Sequence, residues 1–232
     1  MKLLKTKNYK GMSEKAAEMI IKEINKKPNL VLGFATGKTA LGLYKNLIGA
    51  YKKRKLDFSK IRAFALDEYY PIKKTDKKSF YYYLHKNLFD KINIKKENIN
   101  LLNGETKNLR GECWDYEKKI KKSPIDLQIL GIGVNGHVAF NEPGSLKESR
   151  TRLVELTSKT KKINKTNKKA LTIGISTIMS AKKIILLASG KKKAEAIKHL
   201  IQDKENKKWP VTYLRNHKNL IVIIDKKAGK LI

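Results

Sequence analysis

The sequence predicts an α/β protein with a Rossmann-like three-layer α/β/α sandwich built on a mostly parallel sheet. Short apolar runs typical of buried strands alternate along the chain with segments of helical periodicity. No linker rich in Pro, Gly or Ser interrupts them, so we expect residues 1–232 to form a single domain. With 232 residues and 41% hydrophobic content, the chain can bury a sizeable core.

The periodicities place the individual elements. Helices are expected over 13–26, 39–53, 79–89, 112–121 and 191–201. Strands are expected over 30–35, 61–66, 126–132, 151–156, 183–188 and 219–224. Three of the strands are followed by segments that carry chemically useful side chains.

The first segment, residues 29–48, is predicted to be a strand, a Gly/Thr loop and an amphipathic helix. The free N–H groups at the start of a helix, together with the hydroxyls of Thr36 and Thr39, suit a phosphate, and Gly37 allows close approach of the backbone. The loop has neither the GxxxxGK[ST] pattern of a Walker loop nor a GxGxxG fingerprint. A helix capped by a Thr side chain is the alternative interpretation.

The second segment, residues 61–70, is a predicted strand that ends in two adjacent acids, Asp67 and Glu68. Consecutive strand residues point to opposite faces, so both acids cannot enter one pocket if the strand geometry continues. We therefore expect one of them to have a structural role.

The third segment, residues 126–143, is an apolar strand that runs into a Gly-rich turn and then places His137 and Glu142 five residues apart. Open α/β sheets bind ligands at the carboxyl ends of their strands. A His in that place can titrate near neutral pH, and a carboxylate can set its tautomer. A tight turn with a structurally satisfied His is the alternative.

Together these segments resemble the glucosamine-6-phosphate deaminase family, whose wider superfamily includes 6-phosphogluconolactonases. The matching stretches are GFATGKTALGLY at 33–44, FALDEYY at 64–70, SFYYYLHKNLFDKINIKKENINLLNG at 79–104, DLQILGIGVNGHVAFNEPGS at 126–145, SRTRLVELT at 149–157 and ALTIGISTIMSAKKIILLASGKKKAEAI at 170–197. The pairing of LDEY with GxNGHxxFNEP is specific to deaminases, because lactonases have a similar His turn but lack the glutamate of FNEP.

The resemblance implies a role for each catalytic residue. Asp67 would move a proton between C2 and C1 of the open-chain amino sugar, and His137 would open the sugar ring, with Glu142 and Asn135 holding and polarising its imidazole. The products would be fructose 6-phosphate and ammonium. The carbonyl of the open sugar acidifies C2, so neither pyridoxal phosphate nor a metal is implied. The lone Cys113 and the four scattered histidines show no metal-ligand spacing either.

The resemblance also implies the phosphate and substrate contacts, which would come from Thr36, Gly37, Lys38, Thr39, Gly136 and Lys193. The chain departs from the family pattern in two places. Lys38 and Ala40 stand where the family usually has Ser and Pro. The lid segment near 158–169 is shortened, and Thr166 occupies the place of an Arg that reaches the phosphate. Lys165 or Lys168 could substitute for that Arg.

Members of the family that are regulated by N-acetylglucosamine 6-phosphate have a longer C-terminal segment. Arg152 matches one of their regulatory contacts, but Val154 replaces a basic residue. We expect no such regulation, and the chain is as compatible with a monomer as with a homo-oligomer.

The formal net charge of +32 raises a competing hypothesis, nucleic-acid binding. The lysines are spread along the whole chain, Arg is scarce and no nucleic-acid module is recognisable. We therefore expect no dedicated nucleic-acid site, and only a general attraction of anionic substrates. A lactonase-like or other sugar-phosphate enzyme, and a sugar-phosphate sensor without turnover, remain alternatives. With no membrane segment, no signal peptide and one cysteine, the chain is predicted to be cytoplasmic.

Overall fold

A computed structural model describes residues 1–232, and it contains the predicted α/β architecture with two sheets. The strands are β1 (Lys2–Thr6), β2 (Val31–Phe34), β3 (Arg62–Ala65), β4 (Asp67–Tyr70), β5 (Ile99–Asn100), β6 (Leu127–Leu130), β7 (Arg152–Val154), β8 (Lys169–Thr172), β9 (Lys183–Ala188) and β10 (Leu220–Asp225). The α-helices are α1 (Tyr9–Lys26), α2 (Lys38–Lys52), α3 (Phe80–Asn87), α4 (Leu109–Lys122), α5 (Ser158–Asn164), α6 (Ile175–Met179) and α7 (Ala194–Gln202). Short 3-10 segments cover Phe89–Lys91, Lys96–Asn98, Lys191–Lys193 and Pro210–Asn216.

The central sheet contains seven strands in the order β1-β10-β9-β6-β2-β3-β5, and every neighbouring pair is parallel. Its strands therefore all end at one edge. The loops that follow β2, β3, β6 and β9 emerge there, and these loops carry the residues that the sequence singles out. The predicted fold class is confirmed.

Helices cover both faces of the central sheet. Phe34 of β2 contacts the ring of Tyr44 in α2, with centroids 6.1 Å apart, and Phe64 of β3 contacts Tyr116 in α4 at 5.7 Å. The register partner of Phe64 is Gly33, the residue just before Phe34. Since successive strand residues point to opposite faces, α2 and α4 lie on opposite sides of the sheet. The result is the predicted three-layer arrangement.

The smaller sheet is antiparallel, with the order β4-β8-β7. It begins where the chain leaves the central sheet, because Asp67 directly follows β3 and Leu66 and pairs with Thr172 of β8. The strand predicted over 151–156 belongs to this sheet and is only three residues long. The smaller sheet thus stands beside the carboxyl edge of the central sheet and brings its own residues to that edge.

Every predicted helix and strand is present, and the differences at helix starts have a physical cause. Helix α1 begins four residues before the predicted start because the Asn8 side chain accepts a hydrogen bond from Gly11 N at 3.0 Å. Asn108 does the same for α4 through Gly111 N, at 2.9 Å. The prediction missed β1, β4, β5, β8, α5 and α6, all of which are seven residues long or shorter. No helix is both long enough and apolar enough to cross a membrane.

Candidate active site

The loop between β2 and α2 forms an open cradle of backbone N–H groups. Gly37 has a φ of 92° and precedes the first residue of α2, and no side chain caps this helix start. The interpretation of this segment as a Thr-capped helix is therefore wrong. A Cβ added to Gly37 would meet no atom within 4 Å, so the loop faces open space. Tyr83 supports it from α3 by donating a hydrogen bond from its hydroxyl to the Gly37 carbonyl at 2.7 Å.

The side chains of this loop differ in exposure. Thr36 and Thr39 are half-buried, whereas Lys38, the first residue of α2, is exposed. The backbone N–H groups at the start of α2 point along the positive end of its dipole. The arrangement suits an anion held by backbone donors, with Lys38 at its rim.

The two adjacent acids after β3 have different surroundings. Glu68 is almost fully buried and accepts hydrogen bonds from the Ser79 hydroxyl at 2.8 Å and from the N–H groups of Phe80 and Tyr81, both at 2.9 Å. These donors belong to the cap and first turn of α3. Glu68 therefore anchors that helix, as expected for one acid of the pair.

Asp67 is also buried, with 6% of its surface exposed, but its Oδ1 atom has no hydrogen-bond partner. Burial, together with the neighbouring charge of Glu68, raises the pKa of Asp67 from its ordinary value of 3.8 to about 8, although the Thr36 hydroxyl acts in the opposite direction. Such a carboxyl group changes its protonation state near neutral pH. It is well suited to take up and return a proton.

The turn after β6 holds His137 against a glycine. The N–H group of Gly133 donates to the carbonyl of His137 at 2.8 Å, and a Cβ added to Gly133 would lie 2.5 Å from the imidazole ring. The ring therefore occupies space that only glycine leaves free. Gly136 has a φ of 78° and lies against Trp209, where an added Cβ would come within 2.6 Å of the indole. Close contact therefore requires both glycines, and at Gly136 the positive φ is a second reason.

His137 faces Glu142 across a short gap. Nδ1 of His137 is 3.5 Å from Oε2 of Glu142, which also accepts hydrogen bonds from Asn135 Nδ2 at 2.7 Å and from the Thr157 hydroxyl at 3.1 Å. The Oδ1 atom of Asn135 accepts a hydrogen bond from the backbone N–H of His137 at 3.4 Å. Asn135 thus contacts Glu142 and the His137 backbone, and it makes no hydrogen bond to the ring. Nε2 of His137 has no partner within the protein and remains free for a substrate.

The Glu142 carboxylate is held in its ionised form. Burial alone would raise its pKa, but the hydrogen bond and charge of His137, with further hydrogen bonds from Thr160 and Asn135, outweigh burial and lower it. Its other oxygen, Oε1, is buried without a partner. Asp67 and Glu142, two acids on one edge of the sheet, thus have pKa values shifted in opposite directions.

Strand β8 ties these two regions together. Thr172 pairs with Asp67 across the smaller sheet, and its hydroxyl accepts a hydrogen bond from Phe140 N at 3.1 Å. Phe140 lies between His137 and Glu142 in the chain. One threonine therefore connects the backbone at Asp67 with the turn that carries the histidine.

Lys193 ends the short 3-10 turn after β9. Its side chain makes no hydrogen bond and no ion pair within the protein, and burial lowers its pKa from 10.5 to about 8. The turn is held by Asp225 at the end of β10, which accepts hydrogen bonds from the Ser189 hydroxyl at 2.6 Å and from Gly190 N at 3.1 Å. A partly desolvated cation without a partner is a good site for an anionic group.

The segment 158–169, which the resemblance predicts to be a shortened lid, contains α5 and the four residues before β8. Thr166 is buried. The ammonium group of Lys168 donates a hydrogen bond to the Pro71 carbonyl at 2.5 Å, and Lys165 is exposed at the end of α5. Lys168 is thus engaged elsewhere in this arrangement.

The sequence reasoning did not find Thr157, Thr160, Thr172 or Asp225, although each contacts a predicted site residue or its loop. Threonine is too common in proteins for these three residues to stand out in the sequence. The only sequence signal for Asp225 was its position at the end of an apolar strand. The structure contains no group of three or more His, Cys, Asp or Glu side chains that could hold a metal ion.

Comparisons with known proteins agree with this geometry. A family model described as glucosamine-6-phosphate isomerases/6-phosphogluconolactonase matches residues 5–223. A protein of Thermoanaerobacter sp. strain X514 named glucosamine-6-phosphate deaminase is 49% identical over 241 residues, which cover 100% of this chain and 95% of the relative. A Clostridium botulinum protein of the same name is 47% identical over 238 residues, with 99% and 98% covered.

Solved structures give the same result. One described as a monomeric glucosamine-6-phosphate deaminase superimposes over the whole of both chains with a TM-score of 0.97 and 38% identity. The 6-phosphogluconolactonase of Thermotoga maritima reaches a TM-score of 0.81 over 97% of this chain and 99% of its own, at 20% identity, which shows a common fold alone. The family resemblance predicted from the motifs is confirmed.

Proposed function

Since this chain belongs to the glucosamine-6-phosphate isomerase and 6-phosphogluconolactonase family, we propose that it converts glucosamine 6-phosphate into fructose 6-phosphate and ammonium. The observation that carries the proposal is Asp67: a buried carboxyl group with a free oxygen and a pKa of about 8, at the sheet edge shared with the anion loop and His137. A lactone hydrolase has no need for such a proton shuttle.

His137 performs the ring opening. Its Nδ1 faces Glu142, so the free Nε2 removes the proton from the hydroxyl at C1 and delivers it to the ring oxygen. The C1 carbonyl forms as the bond between C1 and the ring oxygen breaks. Glu142 is ionised and stabilises the imidazolium that exists between the two transfers. Asn135 holds Glu142 in position.

Asp67 then moves the proton that converts an aldose into a ketose. Its carboxylate removes the proton from C2, and the electron pair forms a C1–C2 double bond while the C1 oxygen takes a proton from the substrate's own ammonium group at C2, which becomes an amine. Asp67 returns a proton to C1, which leaves an iminium group at C2. Water adds to C2 and ammonium departs, giving the ketone. General acid–base help of this kind contributes about 10²–10⁴-fold in rate.

The phosphate group fits the remaining part of the site. Its oxygens accept hydrogen bonds from the backbone N–H groups of residues 37–39 and from the Thr36 and Thr39 hydroxyls, and the Lys193 ammonium supplies positive charge. Lys38 adds a second cation at the rim, whereas Gly136 lies against Trp209 with its N–H and carbonyl bonded to Gly133 and Val211. Lys165 and Lys168 contribute less, because one is exposed at the end of α5 and the other is bonded to Pro71.

The direct test is ammonium release and fructose 6-phosphate formation from glucosamine 6-phosphate, compared between wild type, Asp67→Asn and Asp115→Asn. Asp115 is a matched control because its side chain is 66% exposed on α4. We expect turnover in wild type and in the control, and a loss of at least 100-fold in Asp67→Asn. In D₂O, the wild-type product should carry deuterium at C1.

Three other results would change the assignment. Hydrolysis of 6-phosphogluconolactone that persists in Asp67→Asn, without ammonium release in wild type, would identify a lactonase. Binding of hexosamine phosphate by a folded protein without turnover would identify a sensor. Equal deaminase activity in Asp67→Asn and wild type would remove Asp67 from the mechanism.

The solved deaminase relative is described as monomeric, and we propose the same state for this chain, which sedimentation at a mass of 26.6 kDa would support. One cysteine and a sugar-phosphate substrate fit a cytoplasmic enzyme.

A further inference from the structure

We propose that Thr160, on helix α5 of the lid segment, is a positioning residue that fixes the tautomer of His137. Its Oγ1 atom lies 3.5 Å from Nδ1 of His137, the same distance as Oε2 of Glu142. Thr160 is 2% exposed, so water does not compete for this contact. The inference rests on the proposed ring-opening role of His137.

The hydrogen-bond pattern determines which atom donates. The ionised Glu142 carboxylate can only accept, so the hydroxyl hydrogen of Thr157 points to Oε2 of Glu142 at 3.1 Å. A hydroxyl carries one hydrogen, and that of Thr160 has two acceptors other than the imidazole, the Glu142 carboxylate and the Thr157 oxygen 3.1 Å away. The Thr160 oxygen then faces Nδ1 of His137 with only its lone pairs.

Nδ1 of His137 therefore meets two acceptors, one from Glu142 and one from Thr160. Both favour a hydrogen on Nδ1, which leaves Nε2 as the basic nitrogen toward the substrate. Catalytic hydrogen bonds are often long in a ligand-free protein and shorten around the substrate. The two contacts of Nδ1, at 3.5 Å each, are long contacts of this kind.

The same hydroxyls connect the imidazole with the lid. Thr157 is the N-cap of α5 and accepts a hydrogen bond from Thr160 N at 3.3 Å. The position of α5 thus determines whether the second acceptor reaches His137. A displacement of this helix would move Thr160 away from His137 and weaken the control of the histidine tautomer. Glu142 lies outside α5 and would stay in place.

The test compares Thr160→Val, Thr160→Ser and Ser158→Ala. Valine has the shape of threonine without its hydroxyl, serine keeps the hydroxyl, and Ser158 is an exposed residue of the same helix. Nitrogen-15 spectra of the free protein give the His137 tautomer, and a His137→Gln spectrum assigns its signals among the four histidines.

We expect Thr160→Val to increase the fraction of the Nε2–H tautomer and to lower kcat about 3- to 10-fold, as one neutral hydrogen bond would, with KM changed less than twofold. Thr160→Ser and Ser158→Ala should resemble wild type in both measurements. An unchanged tautomer in a folded Thr160→Val protein, or a serine variant that fails to restore it, would overturn the inference. The tautomer is measured without substrate, so this result is independent of whether the protein is a deaminase.

Discussion

Replacing Asp67 by Asn should make the protein more stable while it removes activity. Asp67 remains protonated in the folded protein up to a pH of about 8, whereas in the unfolded chain it ionises near 3.8. Between these values the native state binds the proton that the unfolded state releases. The free energy of unfolding of wild type therefore falls by about 1.4 kcal/mol per pH unit from this group alone.

The magnitude follows from the two pKa values. At pH 7 the accumulated penalty is on the order of 4 kcal/mol, and between pH 5 and pH 8 it grows by about 3 to 4 kcal/mol. Asparagine cannot ionise and has nearly the same volume, so Asp67→Asn should not show this loss. A destabilised acid kept at a reactive position is a common trade of stability for function.

Urea unfolding of wild type, Asp67→Asn and the exposed control Asp115→Asn at pH 5, 7 and 8 would measure the effect. We expect the advantage of Asp67→Asn over wild type to widen as the pH rises, and Asp115→Asn to follow wild type. If the unfolding free energies of wild type and Asp67→Asn run parallel over this range, the Asp67 carboxyl is not held in its protonated form and its assignment as a base poised near neutral pH fails.

Three further predictions concern the loops of the site. Lys193→Gln should raise KM for glucosamine 6-phosphate about 10- to 100-fold at pH 7, as loss of a charged hydrogen bond would, and an unchanged KM would exclude the contact. The wild-type KM should also rise above pH 8, where Lys193 loses its proton. Asp225→Asn weakens the support of the turn at Ser189 and should raise KM several-fold with kcat retained, so a fall in kcat alone would contradict a role limited to that turn. Gly133→Ala should lower kcat, measured by steady-state kinetics, at least tenfold because the added methyl displaces the His137 ring. A normal kcat would mean that the ring is free to move aside.

The sequence contained enough information to predict most of the central sheet. Strands such as β9, with five consecutive buried residues, show their burial directly in their apolar composition. The smaller sheet was not predicted as a unit, because its three strands are three or four residues long and only the 151–156 run was identified. Short strands acquire their identity from pairing partners that are distant in the chain.

The catalytic candidates were also visible in the sequence, since Asp67, His137 and Glu142 each follow a strand of a parallel sheet. Strand alternation correctly indicated that only one of the acids at 67 and 68 would be free. Which one it is depends on Ser79 and α3, eleven and more residues away, whose N–H and O–H groups bind Glu68. That choice required the packed structure.

The sequence by itself determined the fold class, the family and the types of side chain at the edge of the sheet, because these depend on local periodicity and on motifs that are contiguous in the chain. Only the tertiary structure decided the protonation states and the hydrogen-bond directions. The pKa of Asp67 rises through burial, Lys193 loses hydration in its turn, and the Thr160 hydroxyl meets His137 from 23 residues away. Burial and contact between distant segments arise only when the elements pack together.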